Sequence, residues 1–119
     1  MYVCIDSMVA SLAERLMHDV YTPFSACIWL DEKGKVVDLY QFDTAFCKPH
    51  WDVPSDAHAC LLISNHPDGY MKLREEDIEN WRSLNENGFG LLCRLFIYAE
   101  DEGVVEIVER RIDVGDELE

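Results

Sequence analysis

The stretch Cys60-Leu-Leu-Ile-Ser-Asn-His-Pro-Asp-Gly-Tyr-Met-Lys-Leu-Arg-Glu-Glu-Asp77 constrains the fold most strongly. Leu61 to Ile63 form an uninterrupted apolar run, which reads as a buried strand. Ser64-Asn65-His66-Pro67-Asp68-Gly69 is dense in turn residues and reads as a loop. Glu75, Glu76 and Asp77 then open a helix, where acids complement the positive end of the helix dipole. A strand thus delivers polar side chains to a loop, and a helix N-terminus returns a carboxylate toward it.

The rest of the chain supplies strands and helices around this unit. Tyr2-Val3-Cys4-Ile5 reads as a short strand, with Asp6 and Ser7 as helix-capping residues. Met8, Val9, Leu12, Leu16 and Val20 recur at helical spacing, which predicts an amphipathic helix running through Asp19. Pro23 disfavours helix in the residue before it and stops the helix near Tyr21-Thr22. Phe24–Leu30 and Val36–Phe42 read as two strands of a hairpin across the polar turn Asp31–Lys35. Asp43–His58 has no regular pattern, and Phe46 and Trp51 are its candidate anchors. Ile78, Trp81 and Leu84 mark one face of the helix after the loop, and Asn87-Gly88 is its stop. Leu91–Tyr98 and Val104 to about Val108 read as strands around the turn Glu100–Gly103, followed by the acidic tail Asp113–Glu119.

Length and charge bound the function classes. A chain of 119 residues is one domain, 1–119, that buries roughly 65% of its unfolded surface. Its net charge of −14 repels phosphate backbones, so nucleic-acid binding is not expected. No apolar run reaches the roughly 18 residues of a membrane span. Met1–Met8 has no basic segment ahead of an apolar one, so no signal peptide is expected. Cys4, Cys27, Cys47, Cys60 and Cys93 are odd in number and form no C-x-x-C pair. That pattern argues against a disulfide framework and for a cytoplasmic setting.

The loop and its flanks resemble the JAB/MPN metalloprotease domains (JAMM domains, including the RadC-type proteins). Those carry His-x-His-Pro-x-Gly followed by x4-Ser-x2-Asp, and here the pattern reads Ser64-Asn65-His66-Pro67-Asp68-Gly69, then Arg74, then Asp77. The N-terminal half is similar too. The family strand Tyr-Pro-x-Glu-Ala-Cys-Gly-Leu compares with Tyr21-Thr-Pro-Phe-Ser-Ala-Cys-Ile28. The resemblance implies an α/β fold, a mixed sheet flanked by helices. It also implies a zinc site at the positions of Ser64, His66 and Asp77, with a general base at Ser25 or, with a one-residue slip, Phe24.

Measured against that pattern, the chain keeps two zinc ligands, His66 and Asp77, and has neither the third nor the base. Hydrolytic zinc needs three protein ligands and an open position. Ser25 is no base at neutral pH. Along a strand, His58 lies roughly 20 Å and Cys60 roughly 13 Å from Ser64, too far to substitute. Cys27 and Asp68 are the nearer alternatives. The expected function is a catalytically inactive, metal-free scaffold or interaction module with a protein partner, contacted through Asp43–His58 and Trp51. Trp51 sealing a small core cluster is the competing role for that residue. The alternatives are a zinc-dependent isopeptidase or peptidase with atypical ligands, and an acidic inhibitor or mimic protein.

Overall fold

A computed structural model describes residues 2–45, 51–86 and 92–107, with side chains from residue 7 onward and from residue 93 in the last stretch. Helix α1 (Tyr2–Met17) precedes the hairpin of β1 (Phe24–Leu30) and β2 (Val36–Phe42). Strand β3 (Ala59–Asn65), helix α2 (Glu75–Glu86), β4 (Leu92–Ala99) and β5 (Gly103–Ile107) follow. The strands form one five-stranded sheet in the order β2-β1-β3-β4-β5. β3 and β4 are parallel, and the other neighbours are antiparallel. A parallel pair needs a crossover connection, and α2 supplies it.

The helices cover opposite faces of the sheet, so β1 and β3 are buried on both sides. This is why Leu61–Ile63 is apolar without alternation. Val9, Ala13 and Met17 lie one helical turn apart and pack on Ala26, Ile28, Leu61, Ile63, Phe96 and Tyr98. On the other face, Trp81 and Leu84 pack with Cys27, Trp29, Cys60, Leu62 and Leu95, and Ile78 flanks them. The α/β class, the mixed sheet and the packing face of α2 thus agree with the expectation from sequence. In the β1–β2 turn, Asp31 Oδ1 accepts the backbone N–H groups of Lys33 and Lys35 at 2.9 Å each. Gly34 takes φ 83°, which glycine adopts without a Cβ penalty.

Two expectations are corrected. Tyr2–Ile5 is not a strand, and Asp6 and Ser7 do not cap a helix: α1 already begins at Tyr2. Extending an existing helix requires no new nucleus, so the β preference of four residues is overridden. α1 also ends at Met17, short of Asp19. Asp19 takes φ 63° and turns the chain before Pro23 is reached. Phe46, Asn87-Gly88, Leu91, Val108 and the acidic tail lie outside the described residues. Among the described residues, no helix is long and apolar enough to cross a membrane.

Candidate functional site

Side chains alternate along strands, and the register places Ser25 on β1 directly across from Ser64 on β3. Both belong to the α2 face, in line with Cys27 and Leu62. Beyond β3, the His66 N–H continues the ladder to the Tyr98 carbonyl at 2.8 Å. The chain then turns at Gly69, whose φ of 82° favours glycine and whose N–H donates to the His66 carbonyl at 3.0 Å. Asp68 pairs with Arg74, and the Arg74 guanidinium lies 4.7 Å from the centre of the Tyr70 ring. On the other face, Asn65 Nδ2 donates to the carbonyls of Val20 and Thr22, both at 3.1 Å.

Three sequence-predicted positions converge here. Ser64 Oγ donates to Asp77 Oδ1 at 2.6 Å, and His66 Nε2 lies 2.9 Å from Asp77 Oδ2. The Arg74 backbone N–H donates to the same Oδ2 at 3.0 Å. Asp77 therefore caps α2 from its third residue, reaching back to the N–H before the first turn. Ser64, His66 and Asp77 are 1%, 3% and 2% exposed.

The ring of His66 is fully engaged. Its Nδ1 lies 2.5 Å from the Tyr70 carbonyl oxygen, which only accepts, and its Nε2 faces a carboxylate that already receives two other donors. Both ring nitrogens therefore carry hydrogen, and the pair is an imidazolium against a carboxylate. The electrostatics agree. Burial draws His66 down, but the Asp77 carboxylate and the Tyr70 carbonyl outweigh it and raise its pKa. Burial pushes Asp77 up, but the hydrogen bonds with His66, Ser64 and Arg74 hold its carboxyl below the usual range.

As a zinc site the donor set is short. His66 would have to give up its Nε2 proton and Asp77 its hydrogen bonds for the two to ligate a metal. Ser64 offers a neutral hydroxyl in place of the third ligand. Among the described residues, the one grouping of three ligand atoms is His18, Asp19 and Glu100, on the exposed surface beside the end of α1. Cys27 is buried beside Cys60, and Asp68 is held by Arg74, so neither joins His66 and Asp77. His58 is anchored at the opposite end of β3, its N–H donating to the Leu30 carbonyl at 2.7 Å. Nor is this a serine nucleophile. The Ser64 proton goes to a carboxylate, and the imidazolium has no lone pair with which to take it.

Ser25 Oγ lies 2.9 Å from Thr44 Oγ1, and Asn80 Nδ2 donates to the Thr44 carbonyl at 3.0 Å. Thr44 and Asn80 were not singled out from sequence. Asn80 carried a readable signal, because it follows Asp77 by three residues and so shares its helix face. Trp51 is half-buried. Its ring meets Tyr40 and Phe42 edge-on at 6.0 and 5.4 Å, and its Nε1 donates to Ser83 Oγ at 2.8 Å. The residue thus has the core-sealing contacts that were one of its two expected roles.

In comparison with known proteins, no family model and no curated protein matches the chain.

Proposed function

We propose that the chain is a catalytically inactive domain of the JAB/MPN type that acts through protein–protein contact. One observation carries this reading: the atoms that would hold a metal are consumed by each other. Asp77 uses both oxygens on Ser64, His66 and Arg74, and His66 uses both nitrogens on Asp77 and Tyr70. A site in this state anchors the loop 66–74 to α2, with the side-chain donors and acceptors of Ser64, His66 and Asp77 turned on one another and on the Arg74 and Tyr70 backbone rather than on a water. Ser25, at the position of the family base, shares its hydroxyl with Thr44.

The contact surface in this reading is the segment 51–58, seated by Trp51 and presenting Asp52, Ser55, Asp56 and His58 to solvent. Loops on a rigid scaffold commonly carry recognition, and the acidic side chains select a basic partner. Affinity capture from the native host should retain a partner on the wild type and lose it on Asp52→Lys/Asp56→Lys. Equal capture by both proteins would contradict this surface. Cleavage of an isopeptide-linked substrate by the zinc-supplemented wild type would contradict the inactive assignment.

A further inference from the structure

We propose that Cys60 and Cys93 form a reversible disulfide between β3 and β4 when the protein meets a peroxide. The two residues are register partners in the parallel pair, and Cys60 Sγ donates to Cys93 Sγ at 3.0 Å. Neighbouring strands lie about 4.8 Å apart, inside the roughly 4.4–6.8 Å range of Cα separations that a disulfide bridges. The bond forms by a small approach of the two sulfurs, without moving either strand to a new register.

Their exposures assign the order of events. Cys60 is 1% exposed, whereas Cys93 is only partly buried and meets a small oxidant first. Cys93 gives up its thiol proton, the thiolate attacks one oxygen of hydrogen peroxide, the O–O bond breaks, and the other oxygen leaves as hydroxide, which takes up that proton and becomes water. Cys93 is then a sulfenic acid. The Cys60 sulfur attacks the Cys93 sulfur, the S–O bond breaks, and the hydroxyl leaves as water with the Cys60 proton. Two thiols have lost two electrons and two protons, and one peroxide has become two waters.

Cys27 keeps the buried partner in reserve. Its hydrogen bond pushes the Cys60 thiol up, and burial adds to this against the opposing effect of Cys93. Cys60 therefore stays protonated until the sulfenic acid is in place beside it, and it serves as the resolving thiol.

The test uses the reduced full chain, treated with a small excess of hydrogen peroxide, alkylated, and digested with chymotrypsin without reduction. Chymotrypsin cuts at Trp51 and so separates Cys47 from Cys60. Mass spectrometry should find a Cys60–Cys93 linked peptide, two hydrogens lighter than the two thiol peptides, that dithiothreitol reverses. Cys93→Ser should abolish the link and leave Cys60 alkylated, and Cys27→Ser should retain it. Cys93 advancing to the sulfinic acid with Cys60 still a thiol would overturn the proposal. So would a Cys27–Cys60 link or the absence of any link. If Cys93→Ser does not fold, the wild-type digest alone decides.

Discussion

Ser25 and Ser64 stand directly opposite each other on β1 and β3, yet each hydroxyl is committed to a different partner. Ser25 pairs with Thr44, and Ser64 donates to Asp77. The two losses are unequal. Ser25→Ala removes a neutral hydrogen bond, at a cost of about 1 kcal/mol. Ser64→Ala leaves a buried carboxylate oxygen without its donor, which costs about 1–3 kcal/mol. Urea unfolding of both variants should rank Ser64→Ala as the less stable, and the reverse order would show that Asp77 Oδ1 finds another donor.

The His66–Asp77 pair makes stability depend on pH at both ends. His66 is raised above its unfolded value near 6.5, so its contribution is full below about pH 6.5 and is lost as pH rises through the raised value. Asp77 is lowered, so its contribution is full above about pH 4 and is lost as pH falls through the depressed value. The urea midpoint should therefore decline on the alkaline side, and His66→Gln should flatten that decline. Nitrogen-15 spectra of the imidazole below about pH 6.5 should show both ring nitrogens protonated. A neutral tautomer would contradict the assignment.

Much of the fold was legible because local pattern and tertiary environment agree. The hairpin strands Phe24–Leu30 and Val36–Phe42 have their expected bounds, set by a turn whose aspartate and glycine are specific to it. Leu61–Ile63 revealed a central strand because both of its faces are covered. Tyr2–Ile5 misled because a four-residue propensity cannot register the helix that continues through it. At the site, sequence located Ser64, His66 and Asp77, but only as ligands kept or lost. That the serine proton fills one carboxylate oxygen depends on how β3 and α2 approach, 13 residues apart in the chain. Cys60 and Cys93 were equally hidden, since only the parallel register brings them together.

Trp51 should act mainly on stability. Its indole is half-buried against Tyr40 and Phe42 and is tied to Ser83. Trp51→Ala should cost about 2 kcal/mol, below the 3–5 kcal/mol of a fully buried tryptophan. Trp51→Phe keeps the packing without the N–H and should fall between the two. Thermal unfolding checks the order, and a wild-type melting temperature in Trp51→Ala would show that the ring seals nothing.

Zinc content tests the central claim, that Ser64, His66 and Asp77 satisfy one another and hold no metal. The measurement is metal analysis of the purified chain after zinc loading and dialysis against a mild chelator, beside the Ser64→His/Ser25→Glu variant. Two protein ligands leave half of a zinc tetrahedron to water, so the wild type should retain far less than one equivalent. The double variant, with a third ligand and a base placed across β1 and β3, should retain zinc. Stoichiometric zinc surviving dialysis in the wild type would contradict the account and put the isopeptidase reading in its place.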